Sequence, residues 1–489
     1  MRELISQTRQ AGVDEFCVCA GSRNSPLLAV LAASDVRVFS FVDERSAAFF
    51  ALGRIKQHGR PVAVVTTSGT AVAELLPATV EAYYSSQPLL LITADRPARF
   101  RGTGAPQTIE QEAIFGSYAV QDIDNWDRSS PLHINIEFDE PLIDGEVAGL
   151  RGSEVARSSS TTQPRNRATA QPFPHKRPVV LIGGLAPEHR DRVREFALQL
   201  NAPVYAEAIS GLREDSGLED LLITSGERMI SRGKFDGVIR IGSVPTLRFW
   251  RDLEESFHQL PVIHYSAARF AGLSRGEVES IDDLPKVVPR ARDEVFFERD
   301  RKQAAAFQAF LDTEPESELA IVRDLSRDLS PGTRVYLGNS LPIREWDLVA
   351  TRQPRGYNIE ANRGANGIDG QVSTFLGWCA PGENVALIGD LTALYDLNAL
   401  WIVPQLDEDV TFKIMVINNR GGRIFSRVPA LQSIDRRLIE NDHSLTFESW
   451  PAMFQLPYNN RDASRGIIEL TPDAEASQRV WQRYDELWR

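Results

Sequence analysis

Short apolar runs alternate with helical patterns along most of this 489-residue chain, and this alternation restricts its fold more than any other feature. The apolar runs have the length of buried strands, and the amphipathic stretches between them have the length of helices. Such alternation predicts parallel sheets that are covered by helices. In the first part of the chain the predicted strands are 15–19, 36–42, 62–66, 89–93 and 132–137, with helices that include 44–57 and 70–84.

The pattern stops once and then resumes, which predicts three consecutive α/β domains, each with a parallel sheet. Residues 151–178 are rich in Ser, Thr, Arg and Pro and are typical of an interdomain linker. Later strands are predicted within 178–184 and 235–243, and then at 334–337, 384–388 and 412–417, with a helical segment at about 291–312 between the two groups. The predicted domains are residues 1–150, 179–290 and 315–489.

Composition excludes several classes of protein. No stretch approaches the roughly 18 consecutive apolar residues of a membrane-spanning helix. Three cysteines are too few for a disulfide scaffold and favour a reducing compartment. A formal net charge of −13 argues against a nucleic-acid partner. The polar N-terminal segment lacks the apolar core of a secretory signal, so the expected location is the cytoplasm.

A carboxylate and an amide are predicted to meet where two neighbouring strands end. Asp390 follows one apolar strand, and Asn419, 29 positions later, follows the next. One strand–helix–strand unit takes about that many residues, so the two strand ends should lie side by side. With a backbone carbonyl of Gly421 they offer three hard oxygen ligands, and Mg²⁺ commonly completes its shell with phosphates and water. The alternative is that Asp390 caps a helix and that the Asn pair forms a turn.

This Gly-Asp to Asn-Asn spacing resembles the signature of thiamin diphosphate enzymes. In that family the Asp and Asn hold Mg²⁺ or Mn²⁺, and the metal holds the diphosphate of the cofactor. Leu391 stands where the family often has Gly, but it is not a ligand position. The resemblance also assigns Glu44 as the catalytic glutamate that hydrogen-bonds the aminopyrimidine ring. From sequence alone, an acid in this position is usually one favoured by the helix dipole.

A further set of motifs narrows the resemblance. The set resembles the 2-succinyl-5-enolpyruvyl-6-hydroxy-3-cyclohexene-1-carboxylate synthase (MenD) family and comprises GSRNSPL, TTSGTAVAELLPA, TADRP, GAPQTIEQ, GNSLPIREWD, NRGANGIDG, GDLTALYDLNAL and NNRGGRIFSRVP. That family of transferases works in menaquinone biosynthesis. The resemblance implies that the succinyl-semialdehyde carbanion, formed from 2-oxoglutarate with loss of CO₂, is added to isochorismate. It also implies a homodimer, with a tetramer left open, because the glutamate and the metal site come from different subunits.

The resemblance assigns site residues one by one. Cofactor-binding positions are Glu44, Ser68, Gly367, Ile368, Gly389, Asp390, Leu391, Asn419, Gly421, Gly422 and Ile424. Substrate-binding positions are Ser22, Arg23, Arg96, Gln107, Ser340, Arg344, Arg363 and Phe425. Arginine suits the anionic substrates because it binds carboxylates bidentately and stays charged. For any single arginine the alternative is a solvated or structural ion pair, and Ile368 and Phe425 are equally consistent with core packing.

Two other functions remain open from the sequence. One is a different thiamin diphosphate-dependent 2-oxoacid decarboxylase or carboligase, although those enzymes lack this arginine set. The other is a catalytically silent protein on the same scaffold, against which the intact Glu44, Asp390 and Asn419 argue. Cys17 and Cys19 alternate along a strand and are interpreted as small buried apolar residues rather than a metal pair.

Overall fold

Three helix-covered parallel sheets of five strands each make up the chain, as a computed structural model shows for residues 1–142 and 173–488. When the five strands of each sheet are counted along the chain, all three sheets have the same spatial order, 2-1-3-4-5. The predicted fold class is therefore confirmed. Of the predicted linker, 151–172 lies outside the described residues, and the first strand of the second sheet begins at Pro178.

The first sheet is formed by residues near the N-terminus. Its elements are α1 (Arg2–Gln10), β1 (Glu15–Cys19), α2 (Ser25–Ala32), β2 (Arg37–Phe41), α3 (Glu44–His58), β3 (Val62–Thr66), α4 (Thr70–Ala73), α5 (Leu76–Tyr84), β4 (Leu89–Asp95) and β5 (Leu132–Glu137).

The second sheet is followed by a long helix, α9, that leads to the third. The elements are β6 (Pro178–Ile182), α6 (Pro187–Leu200), β7 (Val204–Ala206), α7 (Arg228–Arg232), β8 (Gly237–Ile241), α8 (Arg248–Asp252), β9 (Val262–Tyr265), β10 (Val278–Glu279) and α9 (Glu294–Leu311).

The third sheet carries the longest strands. The elements are α10 (Glu318–Asp328), β11 (Arg334–Leu337), α11 (Leu341–Val349), β12 (Asn358–Glu360), α12 (Gln371–Trp378), β13 (Gly382–Gly389), α13 (Asp390–Tyr395), β14 (Val410–Ile417), α14 (Arg436–Ile439), α15 (Ser449–Met453), β15 (Arg465–Leu470) and α16 (Ala474–Glu486). None of the helices in the two described ranges is long and apolar enough to cross a membrane.

Burial on both faces explains why the central strands read as continuous apolar runs. Every residue of β1, β3 and β4 is buried, because helices cover the sheet on both sides. Cys17 and Cys19 lie in β1 with at most 1% of their surfaces exposed, and burial raises the pKa of each thiol. Their interpretation as buried apolar residues is confirmed.

The first and third domains of the same chain share one apolar core, and helices α3 and α12 pack closely there. Two glycines permit this approach. A Cβ atom on Gly53 would lie 2.0 Å from the Thr374 carbonyl oxygen, and one on Gly377 would lie 2.1 Å from the Phe50 carbonyl oxygen. The hydroxyl groups of Ser46 and Ser373 are 2.9 Å apart across the same contact. The close approach fixes where α3, and therefore Glu44 at its start, lies against the third domain.

Gly377→Ala is expected to destabilise the chain because backbone atoms of α3 cannot give way to a side chain. Overpacking of this kind costs about 1–3 kcal/mol in the free energy of unfolding, measured by urea denaturation. Gly389→Ala is the matched control, since a Cβ atom there would meet nothing within 4 Å. Equal stability of the two variants would contradict the close contact between α3 and α12.

Candidate active site

The carboxyl ends of β13 and β14 lie side by side and form one wall of a cavity of about 110 Å³. Gly389 pairs with Ile417 at the last register position, so Asp390 at the start of α13 and Asn419, two residues beyond β14, lie at neighbouring strand ends. Ligands bind at this edge of parallel sheets because the loops meet there. The predicted residues that line the cavity are Ser340, Ile368, Gly389, Asp390, Leu391, Asn419, Gly421, Gly422, Ile424 and Phe425. The structure therefore brings most of the predicted cofactor set together.

The Asp390 carboxylate is held by backbone donors at the start of α13. Its Oδ2 accepts a hydrogen bond from the Gly421 N–H at 2.8 Å, and its Oδ1 accepts one from the Leu391 N–H at 2.6 Å. The Nε2 atom of His443 lies 3.3 Å from Oδ2. Burial raises the pKa of Asp390, and these donors oppose the shift. The N-cap of α13 is Gly389 and not Asp390, so the capping alternative is wrong for this residue. The Asp390 carboxylate instead joins the start of α13 to the glycine turn and faces the cavity.

Asn419 presents an unsatisfied oxygen. Its Oδ1 is buried and has no hydrogen-bond partner, whereas its Nδ2 donates to both carboxylate oxygens of Glu318 at 3.0 Å. The next turn residue, Gly421, has φ = +126°, and a Cβ atom there would lie 2.6 Å from the Glu440 carbonyl oxygen. A buried amide oxygen without a donor is costly unless a ligand satisfies it. Beside a carboxylate and a glycine turn, this donor set fits a hard divalent cation.

Glu318, which no sequence pattern singles out, lines the same cavity at the first position of α10. It is 3% exposed, and burial raises its pKa to about 7. The fully buried Glu345 lies beside it, and burial together with the charge of Glu318 raises the pKa of Glu345 well above its ordinary value. Nothing in the sequence distinguishes Glu318 from an ordinary acid at a helix N-terminus.

Glu44 begins α3, directly after the Asp43 side chain caps the helix by accepting from the Ser46 N–H at 3.0 Å. Its carboxyl group is half-buried, and burial raises its pKa, with smaller contributions from the Asp43 and Glu74 charges. The cavity at β13 and β14 is lined only by residues between 318 and 425 of the described chain, so Glu44 is not among them.

Comparisons with known proteins decide the family. A sequence model described as "Thiamine pyrophosphate enzyme, N-terminal TPP binding domain" matches residues 2–114. A 2-succinyl-5-enolpyruvyl-6-hydroxy-3-cyclohexene-1-carboxylate synthase of Bdellovibrio bacteriovorus is 43% identical over 100% of this chain and 98% of its own length. The chain belongs to this synthase family. Synthases of the same name from Akkermansia muciniphila and Halobacterium salinarum are 39% and 31% identical, over 98% and 99% of this chain and 97% and 96% of their own lengths.

Membership of the synthase family confirms the predicted family and the prediction of a thiamin diphosphate-dependent enzyme. The roles of individual residues stay predictions, and the structure shows where each one lies. Ser68 is buried in the loop after β3, and the hydroxyl groups of Thr66, Thr67 and Ser68 have no hydrogen-bond partner. This loop touches that of Gln107, since a Cβ atom on Gly69 would lie 3.0 Å from the Gln107 Cα atom.

Two of the synthase family's predicted substrate arginines lie in the first domain and contact protein groups. Arg23 is buried and donates to the Phe138 carbonyl at 3.0 Å and to Glu140 at 3.3 Å, while the adjacent Ser22 is exposed. Arg96 donates through Nε to the Pro106 carbonyl at 3.0 Å. The guanidinium of Arg23 is thus engaged in an ion pair within the protein, as the structural alternative for a single arginine anticipated.

The other two arginines lie beside the cavity in the third domain. Arg344 is exposed and donates to the carbonyl of Ser340, which has φ = +75°. Arg363 donates to the Asn339 side chain, and its buried Nε has no partner. Burial lowers the pKa of Arg363 to about 10, with the Glu207 charge opposing the shift. Gly367 accepts from the Asn339 amide at 2.7 Å, which places the loop that carries Ile368 and Arg363.

Proposed function

We propose that this chain catalyses the reaction for which its relatives are named, with 2-oxoglutarate and isochorismate as substrates and loss of CO₂. The observation that carries the proposal is the cavity where Asp390 and the unsatisfied Oδ1 of Asn419 meet. This pairing of oxygens supports a site for a metal and a diphosphate rather than a silent scaffold. When bound, thiamin diphosphate supplies the nucleophilic carbon and accepts the electrons released by decarboxylation.

We propose that Asp390, Asn419 and the Gly421 carbonyl hold Mg²⁺ or Mn²⁺ and through it the diphosphate. The ligand types suit either ion, because both prefer oxygen donors. Gly389 supports the same role, because its backbone faces open space with nothing within 4 Å of a Cβ position. Ile368 and Ile424 offer apolar surface on the cavity wall against which the cofactor rings can pack.

Glu44 would act on the aminopyrimidine ring of the cofactor. Burial raises the pKa of its carboxyl group, which favours the protonated form. A protonated carboxyl would donate a hydrogen bond to a ring nitrogen and so favour the imino form of the bound ring, whose exocyclic nitrogen can accept a proton from the reacting carbon. The chain's own contribution would be this hydrogen bond from Glu44.

We propose that the complete site forms between two copies of the chain. The cavity walls come from residues 318–425, and Glu44 belongs to another domain. Exposed apolar side chains lie on the segments next to Glu44, among them Val42 at 65%, Tyr395 at 54% and Trp401 at 46% exposure. Arg45 donates to the Tyr395 carbonyl and Trp401 donates to the Ser40 carbonyl, so these segments of the first and third domains lie close together. A second copy would cover these side chains and bring its own cavity to Glu44.

The decisive experiment is an assay of the purified chain with 2-oxoglutarate, isochorismate, thiamin diphosphate and Mg²⁺ or Mn²⁺. We expect CO₂ release together with formation of the adduct, and neither when the cofactor or the metal is left out. Turnover of pyruvate or benzoylformate in preference to 2-oxoglutarate would favour a different decarboxylase or carboligase. The cytoplasmic location stays a prediction of the sequence.

Arg363→Ala is expected to impair substrate use without unfolding the protein. Its unpartnered Nε, and its hydrogen bond to Asn339 next to the cavity-lining Ser340, suit a substrate carboxylate. A charge-assisted hydrogen bond contributes about 1.5–3 kcal/mol, so kcat/KM for one of the two substrates should fall roughly 10- to 100-fold. Arg479→Ala, which removes a surface ion pair with Glu314, is the control and should leave kcat/KM unchanged. Unchanged kcat/KM for both substrates in Arg363→Ala would remove this residue from the site.

A further inference from the structure

We infer that Glu318 is a positioning residue that fixes which end of the Asn419 side-chain amide faces the metal site. The inference rests on the proposed metal role of Asn419. The amide of an asparagine has an oxygen end that binds a cation and an NH₂ end that repels one. A metal site that uses asparagine therefore needs a neighbouring group that holds the amide with its oxygen towards the cation.

The contacts of Glu318 hold the Asn419 amide in this orientation. Both of its carboxylate oxygens lie 3.0 Å from Asn419 Nδ2. Both oxygens accept from this NH₂ group, so the amide turns its donor end towards Glu318. The opposite atom, Asn419 Oδ1, is the buried oxygen without a partner, and both residues line the same cavity. The amide is thus oriented for a cation before any cation arrives, which removes the cost of turning it on binding.

The position of Glu318 is itself fixed by its surroundings. Ser317 caps α10 through a hydrogen bond from the Ala320 N–H, and the Glu318 N–H donates to the Ser477 hydroxyl at 2.9 Å. Glu345 is a second buried acid next to Glu318, and among the described residues no hydrogen bond joins it to the amide of Asn419. Of these two buried acids, Glu318 is the one that hydrogen-bonds the proposed metal ligand.

The donor–acceptor logic defines a swap experiment. Glu318→Gln keeps the shape but presents an acceptor and a donor, so both orientations of the Asn419 amide become acceptable. Asn419→Asp alone places two carboxylates face to face with no donor between them. In the double variant Glu318→Gln/Asn419→Asp, the amide is at position 318 and the carboxylate is at position 419. The amide can donate to one carboxylate oxygen, and the other carboxylate oxygen is left for the metal. Glu345→Gln is the matched control, because it changes a neighbouring buried acid by the same atoms.

The measurement is Mn²⁺ binding in the presence of thiamin diphosphate, followed by the electron paramagnetic resonance signal of free Mn²⁺, with unfolding temperatures recorded without ligands. We expect Glu318→Gln to weaken Mn²⁺ binding about 10-fold or more, as loss of an outer hydrogen-bond partner does. Asn419→Asp should also bind weakly, and the double variant should bind more tightly than either single variant. Glu345→Gln should bind within about twofold of the unchanged chain, since its substitution leaves the Asn419 contact intact.

Two results would overturn the inference. One is Mn²⁺ affinity in Glu318→Gln equal to that of the unchanged chain. The other is an equal loss in Glu318→Gln and Glu345→Gln without recovery in the double variant, which would make the acid pair a purely structural feature. If the unchanged chain itself binds Mn²⁺ no more tightly than an Asp390→Ala chain, the proposed metal site fails rather than the role of Glu318. Should Glu318→Gln fail to fold, the double variant compared with Asn419→Asp still decides.

Discussion

Glu44→Gln is expected to reduce kcat by a factor on the order of 10²–10⁴, the usual contribution of a positioned acid or base. Glutamine has nearly the same shape but has no carboxyl group to carry and exchange a proton, and burial raises the pKa of the carboxyl group that it replaces. Position 44 is the first residue of α3, and the helix is capped by Asp43. The substitution should therefore leave the helix and the close α3–α12 contact unchanged. The measurement is steady-state adduct formation at saturating cofactor, with the unfolding temperature as a check on folding.

Glu74→Gln provides the control for Glu44→Gln. Glu74 is exposed, and its charge lies close enough to contribute to the raised pKa of Glu44. Removing it takes away the same charge from the same neighbourhood, yet kcat should stay within a few-fold of the original value, because exposed charges interact weakly. Equal rates in the Glu44→Gln chain and the unchanged chain would mean that Glu44 does not touch the cofactor, and the proposed mechanism would fall.

Asp390→Ala is expected to abolish stabilisation of the protein by cofactor and metal. Without this carboxylate the proposed ligand set of Asp390, Asn419 and the Gly421 carbonyl loses its charged member, and Mn²⁺ affinity should fall more than about 100-fold, beyond what loss of an outer partner costs. The substitution also leaves the Gly421 N–H without its acceptor, which costs about 1–3 kcal/mol of unfolding free energy. Thermal unfolding with and without thiamin diphosphate and Mg²⁺ separates the two effects.

Asp442→Ala is the control for the metal site. Asp442 lies on the same side of the third domain, but its half-exposed carboxylate pairs with Arg423 rather than facing the cavity. Its removal should leave the ligand-induced rise in unfolding temperature intact. If Asp390→Ala were stabilised by cofactor and metal as strongly as Asp442→Ala, the diphosphate would have to be held elsewhere.

Sequence patterns predicted the central strands because those strands are buried on both faces. Strands β1, β3, β4 and β14 coincide closely with the predicted apolar runs. The missed strands are mostly short, such as β7 with three residues and β10 with two, where too few residues exist to set a pattern. The predicted helix 70–84 is divided between α4 and α5, and Pro77 lies in the first turn of the second piece, where its missing N–H is tolerated.

Some features of the candidate site follow from the spacing of residues in the sequence, whereas others depend on packing between residues that are distant in sequence. The meeting of Asp390 and Asn419 followed from one strand–helix–strand spacing, and the register of β13 and β14 places them as predicted. The orientation of the Asn419 amide depends on Glu318, which is 101 positions away in sequence. Arg23 likewise donates to the carbonyl of Phe138, which is 115 positions away in sequence. Such long-range contacts leave no local signal in the sequence.

Mixing two inactive chains tests most directly whether one site is built from two copies. A Glu44→Gln chain and an Asp390→Ala chain each lack activity when alone, but a mixed dimer contains one site with both residues intact and one with neither. After unfolding and refolding of an equal mixture, half of the dimers are mixed, so about a quarter of the activity of the unchanged chain should return. Activity that stays at the level of the separate variants, although mixed dimers are shown to form, would contradict the two-copy site.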